Sequence, residues 1–86
     1  MDKKVILKYI DRIKKEDIIN YGLKEGIRIS DNDLIIIYDY IKNKAINILD
    51  NPLDIIMEIK DKIDNKVFQK ILELYDKYKD IIKKLK

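Results

Sequence analysis

Gly26-Ile27-Arg28-Ile29-Ser30-Asp31-Asn32-Asp33-Leu34-Ile35-Ile36-Ile37 is the stretch whose reading decides the fold. Ser30 stands before three polar residues and an apolar run, so it is predicted to cap a helix, its hydroxyl accepting from the amide of Asn32 or Asp33. Asp33 falls at the third helical position, where a carboxylate approximates a capping box. Beyond it Leu34, Ile35, Ile36 and Ile37 are consecutive, and at about 100° per residue they face nearly every direction. A helix that is apolar almost all round has to be surrounded by other elements. Asp31 to Ala45 is therefore the expected central helix of an all-α fold, and residues 1–86 are read as a single helical domain.

Working upstream, Gly26 is expected to end a short helix from Glu16 by taking the left-handed position just past its last turn, with Ile27 supplying the accompanying apolar contact. Glu16 and Asp17 suit the positive end of that helix. A first helix from Asp2 to Ile13 carries Val5, Ile6, Tyr9, Ile10 and Ile13 at spacings of three and four, which marks them as its inner face. Downstream, Lys42 and Lys44 suit the negative end of the central helix. Ile46-Asn47-Ile48-Leu49 alternates and is expected to be extended, with Ile46 and Ile48 buried on one side. Pro52 opens a further helix to Ile63, with Leu53, Ile56, Ile59 or Lys60, and Ile63 on its inner face and Ile55 and Met57 widening it.

The last helix, Asn65 to about Leu85, holds the most regular pattern. Val67, Ile71, Leu74, Tyr78, Ile81 and Leu85 alternate spacings of four and three, a heptad seam. Phe68, Tyr75 and Ile82 form a flanking row at intervals of seven. The apolar band is broader than one partner helix would cover, and Glu73–Lys77 and Asp80–Lys84 are expected ion pairs. The result is a compact bundle of about five helices with a long amphipathic C-terminal helix.

Composition removes whole classes of function. Cysteine and histidine are both absent, so disulfides and the common zinc, haem and iron–sulfur ligand sets cannot be built. No cofactor is expected. The longest apolar run, Leu34 to Ile37, is far short of the roughly 20 residues of a spanning helix. Acidic Glu73, Asp76 and Asp80 in the polar face of the last helix argue against a membrane surface. The N-terminus shows no signal-peptide pattern, and a cytoplasmic location is expected. Ser30 is the only serine, threonine is absent and no histidine is present to activate it, so a cap is the better reading than a nucleophile. The paired acids Asp31/Asp33, Asp50/Asp54 and Glu58/Asp61 sit at helix starts or on solvent faces. There is no calcium-loop spacing, GxGxxG or Walker A motif. No enzyme is expected.

Net charge is +3. The positive residues are interspersed with sixteen Asp and Glu, and only Arg12 and Arg28 offer bidentate contacts. The second helix, turn and central helix have a helix–turn–helix outline, but Asp31 and Asp33 would meet phosphate with the wrong sign.

The runs Tyr21-Gly22-Leu23-Lys24-Glu25-Gly26-Ile27-Arg28-Ile29-Ser30, Lys42-Asn43-Lys44-Ala45-Ile46-Asn47-Ile48-Leu49-Asp50 and Ile56-Met57-Glu58-Ile59 together resemble the YqfT-like family of small Firmicute proteins. The resemblance spans roughly residues 15 to 78, with Leu49 where that family tends to have phenylalanine. It implies a cytoplasmic bacterial helical protein and supplies no catalytic residues.

The leading expectation is a non-enzymatic protein–protein interaction module that forms a homo-oligomer or docks a helical partner through the C-terminal helix. Its expected interface is Val67, Phe68, Ile71, Leu74, Tyr75, Tyr78, Ile81, Ile82 and Leu85. The other reading of these residues is the chain's own core. A second functional reading is a weak, sequence-independent nucleic-acid binder using Lys3, Lys4, Lys8, Lys14, Lys15, Lys83, Lys84 and Lys86, whose affinity would fall steeply with salt.

Overall fold

The computed structural model describes residues 3–84, with the side chain of Ile82 left out. Among the described residues there are six helices: α1 (Lys3–Arg12), α2 (Lys15–Lys24), α3 (Asp31–Asn43), α4 (Ala45–Asp50), α5 (Pro52–Ile59) and α6 (Asn65–Lys84). The fold is all-α. Helix α3 touches α1, α2 and α4, and α5 joins α4 to α6. At about 1.5 Å per residue α6 is on the order of 30 Å long, which matches the 32 Å long axis of a molecule only 23 × 22 Å across it.

The α2–α3 connection is built as the sequence predicts. Gly26 has φ of 79°, and its N–H donates to the Leu23 carbonyl while Ile27 N–H donates to that of Gly22. This pair of bonds is a Schellman cap, which satisfies carbonyls the helix end leaves open. Gly22 has a separate role: a Cβ there would sit 3.0 Å from Ile29 Cδ1 and 3.2 Å from the Ile27 carbonyl oxygen. The glycine lets the returning chain lie directly on α2. At the other end of α2, Asp17 accepts from the Lys14 N–H at 2.8 Å.

Ser30 caps α3, its hydroxyl accepting from the Asp33 N–H at 3.2 Å. Asp33 is 5% exposed, and its carboxylate accepts from the Asp64 N–H at 3.0 Å. Asp64 in turn caps α6 by accepting from the Lys66 N–H. One chain of bonds thus fixes the start of α3 to the start of α6, and the buried carboxylate is satisfied as burial requires. The C-terminus of α1 is held by Lys42, whose ammonium donates to the carbonyls of Ile10 and Asp11 at 2.7 and 2.8 Å. A cation there meets the negative end of the helix.

Several expectations are corrected. Ile46 to Leu49 is helical, not extended: Ile48 N–H donates to the Lys44 carbonyl and Asn51 N–H to that of Asn47. Ala45, Ile48 and Leu49 turn inward at helical spacing, whereas Ile46 is exposed. Four alternating residues fit either period, and α4 exists because tertiary contact with α1 and α3 decides between them. The bend at Lys44 ends α3 earlier than expected. Of the four consecutive aliphatics only Leu34 is fully buried, and Ile35 faces solvent. In α1 the inner face is Ile6, Leu7 and Ile10, with Val5 and Tyr9 outside. Helix α5 stops at Ile59, and Leu53 and Met57 on it are exposed. Ion pairs on α6 form at i,i+3, Lys70 with Glu73 and Lys79 with Asp76, in place of the expected i,i+4 pairs.

Candidate functional site

The heptad seam of α6 is divided by depth. Val67 and Phe68 are 4% and 2% exposed and pack into the chain's own core with Leu34, Ala45 and Ile59. These two residues cannot form an interface without unfolding the domain, so that part of the expected surface is corrected to core. Ile71, Leu74 and Tyr75 are half-buried. Tyr78 is 39% and Ile81 55% exposed. Leu85 and the side chain of Ile82 lie outside the described residues.

The half-buried portion of the seam does not close the bundle beneath it. Ile37 and Ile41 of α3 and Ile71 and Leu74 of α6 line both of two apolar clefts. The first, of about 410 Å³, runs between α2, α3 and α6, with Ile18, Ile27 and Ile29 on its walls. Asp17, Tyr21, Glu25 and Lys70 also border it. The second, of about 340 Å³, lies between α3, α5 and α6; Ile55, Ile59 and Tyr75 are among its walls, and none of its lining residues is charged. Close-packed interiors leave few voids larger than a water molecule, so two clefts of this size mark an incompletely filled region.

Far along α6, the Tyr78 phenol lies close enough to Tyr21 of α2 for the two to interact. Partial burial, reinforced by Tyr78, holds the Tyr21 phenol above its ordinary pKa. On the opposite side Tyr40 lies between the ammonium groups of Lys44 and Lys62, each just over 5 Å from its ring centre. Its hydroxyl donates to Glu58 at 3.0 Å and accepts from Lys62 at 2.7 Å. Hydrogen bonds from Lys44 and then Tyr40 pull the Glu58 carboxyl below its ordinary pKa, and the bond to Tyr40 raises Lys62. The network ties α3 to α5 and needs no ligand to explain it. Two lysines of the nucleic-acid reading are also engaged: Lys3 pairs with Asp50 at 2.7 Å and Lys15 lies over the Tyr38 ring. Lys86 lies outside the described residues.

Among the described residues no group of three or more acidic side chains is placed to hold a metal ion, and no helix is long and apolar enough to cross a membrane. The seam residues were visible in the sequence. The clefts were not, because a gap between helices leaves no periodic signal. No family model, curated protein or solved structure matches the chain, so function is argued from this geometry.

Proposed function

We propose that the chain is a non-enzymatic helical interaction module that self-associates, or docks a helical partner, through the C-terminal half of α6. The observation that carries this reading is the gradient along one uninterrupted seam, from Val67 at 4% exposed to Ile81 at 55%. The pattern that builds the core continues beyond the buried residues, and among the described residues Tyr78, beside Tyr21, and Ile81 remain largely on the surface. An apolar stripe of this kind is covered when another helix packs on it.

The test is solution mass by light scattering after size exclusion, over a wide concentration range. Self-association predicts a mass that rises to that of a dimer, and Ile81→Asp returns it to the monomer with the helical circular dichroism unchanged. A monomer at every concentration removes self-association and leaves the helical partner. Unfolding of Ile81→Asp would show that Ile81 belongs to the core and overturn the reading.

A further inference from the structure

Helix α5 is apolar on two sides. Ile55, Ile56 and Ile59 line the cleft it shares with α3 and α6, while Leu53 and Met57, one turn apart, are exposed on its outer side. A helix that is apolar on both sides is normally enclosed by other elements, and within one copy of this chain Leu53 and Met57 stay uncovered. The residues beside them are acidic: Asp54 follows Leu53, Glu58 follows Met57, and Asp61 stands just beyond the end of the helix. Glu58 is held by Lys44 at 2.9 Å. Among the described residues Asp54 and Asp61 form no ion pair, although Asp54 shares a shallow groove with Lys79 and Lys83.

The exposed end of α6 is the counterpart of that face in sign. Tyr78 and Ile81 are flanked by Lys77 and Lys84, which fall on one row of the helix. Neither lysine is in an ion pair among the described residues, and Lys77 Nζ lies over the Tyr78 ring at 5.4 Å. Symmetry argues against this surface meeting itself. Two copies of α6 packed antiparallel would set the row of Lys77 and Lys84 against the same row of the other copy, and like charges there destabilise the contact. Packed parallel, they would set it beside the row of Phe68, Tyr75 and Ile82, which carries no acid. The outer face of α5 supplies what both arrangements lack: exposed apolar side chains with carboxylates beside them.

We infer that the exposed end of α6 docks on the outer face of α5 in a second copy of this chain, Tyr78 and Ile81 against Leu53 and Met57. Lys77 and Lys84 then lie on the side of Asp54 and Asp61. The inference rests on the self-association proposed above and names the surface that α6 meets. Apolar burial supplies the affinity, and the opposite signs set the orientation and speed the encounter. Because the two patches differ, the contact is heterologous: each copy uses α6 towards one neighbour and offers α5 to another. Association therefore passes through a dimer and continues to a closed ring or an open chain.

The experiment measures solution mass by light scattering for two variants of the full chain, alone and mixed. Met57→Asp breaks the α5 face and keeps the α6 seam; Ile81→Asp does the reverse. Each alone is expected to be monomeric at concentrations where the unaltered chain associates. An equimolar mixture is expected to form a one-to-one complex and nothing larger, because one intact seam and one intact face remain. Leu53→Asp replaces Met57→Asp if circular dichroism shows that the first variant has not folded. Asp54→Asn is expected to weaken association about two- to fivefold, and the affinity of the unaltered chain to fall as salt rises from about 50 mM to about 500 mM. A folded Met57→Asp chain that associates as the unaltered one does, or a mixture that gains no complex, overturns the docking and leaves self-association through α6 in place. Affinity indifferent to both salt and Asp54→Asn overturns the pairing of signs on which the docking was chosen. An unaltered chain that is monomeric at every concentration removes self-association and the docking with it.

Discussion

At Val67 and Phe68 the last helix is sealed into the bundle, while at Tyr78 and Ile81, about three turns further on, the same helical face lies half in water. Both regions come from one sequence pattern. They differ in what the rest of the chain brings to them. The near end is met by Leu34 and Ile59, both fully buried, and is locked by the bonds from Ser30 through Asp33 to Asp64. The far end is met by clefts and by one phenol pair. A heptad pattern thus states that a face is apolar without stating what covers it.

The largest contrast should appear when an apolar side chain is truncated at each end. Phe68→Ala removes the most buried large side chain and is expected to cost about 3–5 kcal/mol, much of the roughly 5–15 kcal/mol that holds a small domain. Ile81→Ala, measured by urea denaturation at protein concentrations below any self-association, should change stability by no more than about 0.5 kcal/mol. Comparable losses at the two ends would erase the distinction between them.

The lock itself is the next target. Asp33→Ala leaves the Asp64 N–H without its buried acceptor, an expected loss of about 1–3 kcal/mol. Hydrogen exchange gives the sharper reading: the Asp64 amide should lose protection while amides in the middle of α3 keep theirs. If Asp64 stays protected, the two helix starts are not coupled through this bond. Outside α6, Gly26→Ala forces a Cβ into a φ of 79° and should cost about 1 kcal/mol, read against Lys24→Ala as a control on the same helix.

How much of this could be read beforehand follows the same division. Local chemistry was legible: Gly26 announced its left-handed turn, Ser30 its cap and Pro52 the first turn of α5, because each depends on a few adjacent residues. The apolar spacing from Val67 to Tyr78 gave the helix and its inner face. What depends on distant partners was not legible. Asp33 looked like a poor capping-box residue, and only the fold reveals that it serves α6. Ile46 to Leu49 was too short for its period to separate strand from helix. Leu53 and Met57 have core-like spacing and lie on the surface because α5 turns another face to α6.

The phenol pair offers the smallest effect and the most direct look at the far end. Tyr21 is raised above its ordinary pKa first by burial, then by the neighbouring Tyr78 phenol and by the Glu25 carboxylate. A raised phenol pKa means the folded state holds the proton more tightly, so the contribution is intact below the unfolded value of about 10. It is lost as pH rises through the raised folded value. Tyr78→Phe removes the second phenol but leaves most of the burial. The Tyr21 midpoint, followed by NMR of its ring carbon, should therefore fall only part of the way towards the ordinary value. Stability near neutral pH should change by less than about 1 kcal/mol, since the pair is solvent-accessible. A midpoint that does not move would mean that α6 is not latched to α2 at this point, and the region from Leu74 onward would then be held by α5 alone.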